Sequence, residues 1–132
     1  MRRSLLLLLS ACALMGACTA EAGTTAETVD VEIHYSRFDP TTFEFAAGTT
    51  VTFRITNTDP IDHEFIVGDE LTQDRHEIGK HASHGDLPGE VSVPAGTTRF
   101  TTYTFVRPGP LIIGCHLPNH YAYGMRADVR VI

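Results

Sequence analysis

Beyond its first twenty residues the 132-residue sequence has no apolar run long enough to cross a bilayer, which takes about 20 consecutive apolar residues in a helix. Basic residues are also scarce in that part of the chain. Of the ten Lys and Arg residues, Arg2 and Arg3 belong to the N-terminal segment, which leaves eight basic against sixteen acidic side chains. The resulting net charge of −8 argues against nucleic acid as a partner.

Cysteine is scarce as well. Of the three cysteines, Cys12 and Cys18 fall in the N-terminal segment, so Cys115 has no disulfide partner in an exported chain. A single cysteine of this kind is either a buried inert thiol or a ligand, and its neighbours decide between the two. It is followed by His120 and Met125, two further residue types that bind soft metals.

The N-terminal segment 1–18 has the features of an export signal, with a charged start and a short apolar stretch. The letters LMGAC ending at Cys18 resemble a bacterial lipobox, in which cleavage leaves a lipidated cysteine. Cys12 fits a similar motif with a shorter apolar core, and cleavage near Ala20 would instead give a free secreted protein. Residues 19–28 predict a flexible tether. We expect a lipid-anchored protein at the outer face of the cell membrane or in the periplasm, and otherwise a secreted one.

The remaining residues, 29–132, predict one all-β domain. Apolar and polar residues alternate in several short segments, as at Val29, Val31 and Ile33, which is the period of a half-buried strand. Turn residues separate these segments at intervals typical of a sandwich. We predict a Greek-key β-sandwich of seven to eight strands. The exception is a polar excursion at about 68–89, which has helix-compatible residues but no apolar stripe and is expected to stay outside the core.

The segment GCHLPNHYAYGM near the C-terminus concentrates metal-binding residue types. Four residues separate Cys115 from His120, and four separate His120 from Met125. A thiolate and an imidazole with a weak axial thioether suit copper that cycles between Cu(I) and Cu(II), provided that a second imidazole joins them. His63 is the best candidate, because it lies where a turn passes into an apolar strand and can meet the loop at one end of the sandwich.

These residues resemble the cupredoxins, the blue-copper family that includes plastocyanin and azurin. The resemblance runs from RFDPTTFEF to MRADVRVI, nearly the whole domain, and implies one type 1 copper bound by the family's ligand set: His63, Cys115, His120 and Met125. The Cys–His spacing is similar to that of azurin, and the His–Met spacing to that of plastocyanin. Many relatives have Gly where this chain has Asn119, and Asn tolerates the positive φ that the turn needs.

Three residues beside the ligands have weaker predicted roles. The backbone carbonyl of Asp62 would be a distant axial contact, as in some members of the family. Glu64 alternates away from His63, which predicts a supporting or a surface position rather than ligation. His116 follows the cysteine as in multicopper oxidases and nitrite reductases, but that chemistry takes further histidines from another domain or subunit. A single domain of this size therefore predicts an electron carrier or a copper-binding protein rather than an enzyme.

The polar excursion has histidines of its own, His76, His81 and His84, among several carboxylates. The simplest interpretation is a solvated loop, which could serve in partner recognition. The alternative is a second, weaker copper or zinc site. In that site His81 and His84 would share one ion on a helical turn, and His76 or Glu77 would add a ligand.

Two functional hypotheses follow. The first is a one-electron carrier that serves redox partner proteins at the membrane surface and docks through an apolar patch of Leu117, Pro118 and Tyr121 around His120. The second is a copper storage or delivery protein, which the histidines of the excursion favour. Delivery sites are commonly richer in methionine, and Met125 is the only one outside the signal, so we prefer the carrier. Both hypotheses require only a monomer. We expect the lipid anchor to be its only contact with the membrane.

Overall fold

A computed structural model describes residues 27–79 and 87–132 and contains nine strands and one helix in these ranges. The strands are β1 (Glu27–His34), β2 (Arg37–Asp39), β3 (Thr42–Phe45), β4 (Thr50–Asn57), β5 (His63–Gly68), β6 (Glu90–Val93), β7 (Thr98–Thr104), β8 (Gly109–Gly114) and β9 (Arg126–Val131). The predicted all-β sandwich is confirmed. It has one strand more than the seven to eight expected, because β2 is only three residues long and too short to show an alternating pattern. The predicted signal, Cys18 and most of the tether lie outside the described residues.

The strands form two sheets with the orders β2-β1-β4-β7 and β3-β9-β8-β5-β6. β1 pairs in parallel with β4, and β3 pairs in parallel with β9, whereas the other pairings are antiparallel. β5 and β8 are neighbours in the larger sheet, with Ile66 opposite Gly114. This antiparallel pairing brings the start of β5, where His63 lies, to the same end of the sandwich as the residues that follow β8.

The facing surfaces of the two sheets enclose a core rich in phenylalanine. The rings of Phe53 and Phe65, one from each sheet, lie 5.0 Å apart, and Phe45 stacks on Phe105 at 4.5 Å. Each fully buried ring of this size contributes about 2 kcal/mol through the apolar area that it removes from water. Because a close-packed core resists deformation, it fixes the positions of β5 and β8 and of the residues at their ends.

The polar excursion contains a helix, α1 (Glu70–Ile78), in the described residues. The side chain of Asp69 caps its N-terminus by accepting a hydrogen bond from the backbone N–H of Thr72 at 2.9 Å. The described part of the excursion contributes no residue to the apolar core, as expected, but its Gln73 side chain is buried against the sandwich, with only 1% of the residue exposed. Gly114 of β8 leaves room for this contact, since a Cβ atom there would overlap Oε1 of Gln73. The helix meets the sandwich through polar side chains, which explains why no apolar stripe marks it.

α1 is nine residues long and exposes most of its side chains. Its apolar residues Leu71 and Ile78 point into solvent. Within the described ranges no helix combines the length and the apolar character that crossing a membrane requires.

Candidate metal centre

Three side chains with metal-binding atoms converge at one end of the sandwich. They come from the first residue of β5, His63, and from the loop after β8, Cys115 and His120. The two Nδ1 atoms lie 3.2 Å apart, and Nδ1 of His120 lies 3.3 Å from Sγ of Cys115. Ligands bonded at about 2.0 Å (N) and 2.3 Å (S) to one ion are separated by roughly 3.3 to 3.7 Å. The two distances are close to these values, so the three side chains could hold a single ion between two imidazoles and a thiolate, a donor set suited to copper.

In the described part of the chain this is the one group of three or more His, Cys, Asp or Glu residues whose ligand atoms lie within 4.8 Å of one another. The sequence predicted all three members. Their role as ligands stays a prediction, but their convergence is a property of the fold.

The loop that carries Cys115 and His120 closes on itself through backbone hydrogen bonds. The N–H of His120 donates to the carbonyl of Leu117 at 2.9 Å, and the N–H of Met125 donates to the carbonyl of His120 at 3.0 Å. Asn119 has a φ of +70°, the left-handed conformation predicted for it. The turn is thus held without the glycine found in many cupredoxins.

Met125 lies beneath this loop and is fully buried in the same apolar cluster as Cys115. Its carbonyl accepts a hydrogen bond from the N–H of Cys115 at 3.2 Å. The first and last residues of the loop, Cys115 and Met125, are therefore joined by a backbone hydrogen bond. The axial ligand role of Met125 stays a prediction.

Asp59 orients the ring of His63. The Nε2 atom of His63 donates to Oδ2 of Asp59 at 2.9 Å, which leaves Nδ1 with its lone pair free to face His120 and Cys115. The carboxylate also accepts from the backbone N–H groups of Tyr35 and Ser36, each at 2.7 Å. Burial of Asp59 favours its neutral form, but these N–H groups and His63 outweigh that effect and lower the pKa of the carboxyl group.

The turn that presents Asp59 is held by Asn57. Its Nδ2 group donates to the carbonyls of Ile61 and Val93, at 2.8 and 3.0 Å, and its Oδ1 accepts from the N–H of Asp59 at 3.0 Å. Sequence reasoning recognised this segment only as a turn and missed both residues. The available signal was an aspartate four residues before the candidate ligand His63.

Cys115 is buried and receives a hydrogen bond at Sγ from the backbone N–H of Glu64, at 3.3 Å. Burial raises the pKa of the Cys115 thiol to about 11, although backbone N–H groups of Glu64 and Leu117 act in the opposite direction. Without metal the side chain is therefore a neutral thiol at physiological pH, and metal binding would displace its proton.

Glu64 itself is only 2% exposed. Its Oε2 accepts a hydrogen bond from the backbone N–H of His116 at 3.2 Å, so it ties β5 to the residue after Cys115. The surface position that the strand pattern also allowed is wrong, because every residue of β5 is buried. Glu64 supports the loop from behind the candidate ligands.

His120 is the least buried of the three candidate ligands. Burial and the nearby imidazole of His63 lower the pKa of His120, despite the opposite influence of Glu64 and Asp59. A lowered pKa favours the neutral ring, which is the form that can bind a metal.

His116 points away from the candidate centre and contacts α1. Its Nε2 donates to Oε1 of Gln73 at 2.7 Å, and its Nδ1 lies 2.8 Å from Oε2 of Glu77. The amide group of Gln73 in turn donates to the carbonyls of Ile66 in β5 and Ile112 in β8, at 3.2 and 2.9 Å. Gln73 therefore links both strands that lead to the centre with the residue beside Cys115, a role that sequence reasoning did not foresee.

The other predicted site residues are placed as follows. Asp62 is exposed and its side chain accepts from the N–H of Ala95 at 2.9 Å, and the axial role of its carbonyl stays a prediction. His76 lies on α1, whereas His81 and His84 lie outside the described residues.

In the predicted docking patch only Pro118 is exposed, whereas Leu117 and Tyr121 are half-buried. Leu117 packs against the apolar core, and Tyr121 stacks on His116 with ring centroids 4.5 Å apart. Tyr123, which the sequence analysis did not select, is 74% exposed in the same turn as His120. Pro118 and Tyr123 are therefore exposed apolar side chains of the loop that carries His120.

No protein-family model matches the chain. Among curated proteins it is similar to the copper-resistant cuproprotein CopI of Rubrivivax gelatinosus, with 34% identity over 99 residues that cover 72% of this chain and 59% of that protein. It is also similar to CopI of Pseudomonas aeruginosa, with 25% identity over 145 residues that cover 85% of this chain and 80% of that protein. The chain thus spans somewhat over half of the Rubrivivax protein and most of the Pseudomonas one.

Solved structures resemble the sandwich more completely. Auracyanin B matches with a TM-score of 0.69 and 20% identity over 81% of this chain and 89% of its own. Auracyanin A of Chloroflexus aurantiacus, described as a blue copper protein, matches with a TM-score of 0.67 and 21% identity over 82% of this chain and all of its own. Reduced rusticyanin has a TM-score of 0.57 and 20% identity over 82% and 81% of the two chains. The chain therefore has the cupredoxin fold that these structures share, and its sequence is similar to that of the CopI cuproproteins.

Proposed function

We propose that the chain binds one copper ion through His63, Cys115 and His120, with Met125 as a weak axial ligand, and carries single electrons outside the cytoplasm. The observation that carries this proposal is the convergence of two Nδ1 atoms and one thiol at a buried end of the sandwich. The Nδ1 atoms of His63 and His120 lie 3.2 Å apart, and Nδ1 of His120 lies 3.3 Å from Sγ of Cys115. Bound copper would supply a one-electron couple between Cu(I) and Cu(II), for which this mixed donor set is suited.

The protein's own contribution is to hold these donors still. Asp59 keeps the His63 ring in one tautomer, and the backbone N–H of Glu64 points at the Cys115 thiol before any metal arrives. Both residues are anchored by hydrogen bonds to other elements. Donors fixed in this way need little rearrangement when the charge at the centre changes, which favours rapid electron transfer.

The second candidate function is copper storage or delivery. It is supported by the names of the similar proteins, which are copper-resistant cuproproteins. It is also compatible with the partial exposure of His120, which gives a metal ion a route in and out. Against it stands the burial of Cys115 and Met125, because a delivery site must release its ion to a partner.

An enzymatic function receives less support. The match to a multicopper oxidase extends over 81% of this chain but only 39% of that protein, which corresponds to part of a larger molecule. The ring of His116 is engaged by Gln73 and Glu77 on the far side from the candidate ligands. We propose that the chain itself has no catalytic activity.

We further propose that redox partner proteins dock where His120 approaches the surface. Pro118 and Tyr123 form a small exposed apolar area beside that ring, and small areas of this kind suit brief encounters. We also propose that the protein is exported and lipid-anchored at Cys18. It would be a monomer that contacts the membrane only through its lipid.

Visible absorption after addition of Cu(II) to the purified protein tests the copper site. We expect an intense thiolate-to-copper band at one equivalent, which Cys115→Ser abolishes. Reversible voltammetry and the rate of electron self-exchange then separate the two candidate functions. A colourless complex, or rapid loss of copper to a competing chelator together with slow self-exchange, would favour storage or delivery instead.

A further inference from the structure

The hairpin that joins β1 to β2 turns through two residues with positive φ. His34 is paired with Arg37, so the loop between the strands consists of Tyr35 and Ser36 alone. Their φ angles are +50° and +51°. Positive φ at both central residues defines the type I′ hairpin turn, which prefers Asn and Gly because other side chains crowd the backbone in this conformation. A tyrosine and a serine therefore hold this turn against their own backbone preference.

Packing of the side chains does not account for this conformation. Tyr35 is 80% exposed, and its ring contacts that of His34, which is also exposed. Ser36 is only half-buried. The turn is fixed instead through its backbone, because the N–H of Tyr35 donates to Oδ1 of Asp59 and the N–H of Ser36 donates to Oδ2, each at 2.7 Å. Such bonds between an amide and an ionised carboxylate are among the stronger hydrogen bonds in proteins.

The same carboxylate reaches a candidate copper ligand. Oδ2 of Asp59 accepts from the N–H of Ser36 and also from Nε2 of His63, at 2.9 Å. Oδ1 is held by the N–H of Tyr35. With both oxygens bound to the turn, the carboxylate cannot rotate without breaking a hydrogen bond. Its orientation sets the direction in which the His63 ring donates its proton, and so which ring nitrogen is left for a metal.

The parallel pairing of β1 with β4 brings the two turns together. Ile33 lies opposite Asn57 near the ends of these strands, and the N–H of Thr58 donates to the carbonyl of Ile33 at 2.9 Å. The turn after β1 and the turn after β4 therefore lie side by side, at the end of the sandwich where β5 begins. Asp59 is only 6% exposed, so water can do little to replace the N–H groups of the hairpin as donors to its carboxylate.

We propose that Tyr35 and Ser36 are positioning residues of the copper centre, which they reach through Asp59. Their backbone N–H groups hold the carboxylate, and the carboxylate holds His63 in the tautomer whose Nδ1 is free for the metal. This role rests on the proposed copper function, because it gives the hairpin turn a part in building that centre. Since coupling between two sites is reciprocal, metal bound at His63 must also stabilise the turn.

The copper affinity of turn variants, measured by competition with a chelator of known affinity, tests this role. Ser36→Val disfavours positive φ, because a β-branched residue rarely adopts it, and should weaken copper binding by about tenfold and alter the visible spectrum. The double variant Tyr35→Asn, Ser36→Gly supplies the residues that a type I′ turn prefers and should bind copper as wild type does. In an Asp59→Asn background, Ser36→Val should have no further effect, because the two changes act on one chain of contacts.

Gly48→Val is the matched control. Gly48 has a φ of +87° in the turn before β4, at the opposite end of the sandwich, so valine imposes a similar backbone penalty there. This variant should lose stability while its copper affinity and spectrum stay at wild-type values. Thermal unfolding establishes that each variant is folded.

Amide hydrogen exchange in wild type tests the reciprocal effect without any variant, and it decides alone if Ser36→Val fails to fold. Binding of diamagnetic Cu(I) should slow exchange of the Tyr35 and Ser36 N–H groups by about tenfold more than that of the Gly48 N–H, which donates to the carbonyl of Phe105.

Two results would overturn the role of the turn while leaving the copper centre intact. One is wild-type copper affinity in folded Ser36→Val protein, and the other is equal slowing of exchange at Tyr35, Ser36 and Gly48. A wild-type protein that forms no blue centre with Cu(II) would instead overturn the copper function and this role together. The blue band of wild type therefore separates the two failures.

Discussion

The carboxylate of Glu64 accepts a hydrogen bond from the backbone N–H of His116 at 3.2 Å. Glu64 is buried and lies next to Cys115, one of the candidate copper ligands. A buried negative charge at this position stabilises the more positive oxidation state of a nearby ion. We therefore expect Glu64→Gln to keep the blue band and raise the midpoint potential by about 60 mV, equivalent to roughly 1.4 kcal/mol for one electron. Glu44→Gln, which removes an exposed carboxylate on β3, is the control and should leave the potential unchanged. An unaltered potential in Glu64→Gln protein would contradict this role.

The assignment of the ligands themselves predicts two different outcomes. Cys115→Ser should abolish the coloured band, because the thiolate is the donor of the charge-transfer transition. Met125→Leu should keep a coloured centre with a higher potential, since loss of a weak axial thioether favours Cu(I). Absorption spectra and voltammetry measure both. A blue Cys115→Ser protein would show that the centre lies elsewhere.

Removal of the Gln73 amide tests the link between α1 and the centre. Gln73→Leu leaves the carbonyls of Ile66 and Ile112 and the Nε2–H of His116 without this partner. We expect a loss of about 2 to 4 kcal/mol in the free energy of unfolding, as for several buried polar groups left unsatisfied, and a broadened blue band. Thr102→Leu on exposed β7 is a control for the added apolar side chain. Wild-type stability in Gln73→Leu protein would mean that the helix only rests on the sandwich.

The hydrogen bond between Asp59 and His63 predicts a pH dependence. The folded state lowers the pKa of Asp59, so its ionisation stabilises the fold above the unfolded value of about 3.9. That stabilisation is lost as the pH falls through the lower, folded pKa. The stability difference between wild type and Asp59→Asn should therefore be largest above about pH 4 and shrink in stronger acid. Denaturant unfolding at a series of pH values measures it, and a constant difference would contradict the ionic role of Asp59.

Asp59→Asn should also weaken metal binding, because it replaces the charged acceptor that holds the His63 ring in the tautomer with a free Nδ1 by a neutral amide oxygen, which is a weaker acceptor. Groups in this position typically change metal affinity by about 10- to 100-fold. Competition with a chelator of known affinity provides the measurement. Asp62→Asn, which alters an exposed neighbour bonded to Ala95, is the control and should bind copper as wild type does.

One introduced charge tests whether proteins dock at the exposed area beside His120. Tyr123→Lys should slow electron self-exchange through repulsion between two like-charged faces, while absorption and stability stay at wild-type levels, because the side chain is 74% exposed. Leu117→Lys should instead destabilise the protein by a few kcal/mol, since Leu117 packs against the core. Phe100→Lys, on an exposed side chain of β7, is the control for charge alone. Equal self-exchange rates in Tyr123→Lys and wild type would place the electron entry elsewhere.

The sequence by itself determined the sandwich and the ligand loop. Period-two alternation of apolar residues is a local property of each strand, so it can be recognised without knowing the partner strand. Cys115, His120 and Met125 belong to one short loop, and their spacing alone restricts them to the same end of the sheet. His63 could be added because its strand start is marked by a turn. Asn119 likewise met a local requirement, a positive φ that few other residues tolerate.

The tertiary structure alone decided which residues support that loop. Asp59 meets Tyr35 and Ser36 across 24 and 23 residues of chain, and the pairing exists only because β1 and β4 lie side by side in one sheet. Gln73 is a polar residue in a segment without apolar periodicity, so no pattern distinguishes it from residues exposed to solvent. Its burial follows from the space that Gly114 of β8 leaves for α1. Contacts between distant elements depend on register and packing, and a linear sequence pattern records neither.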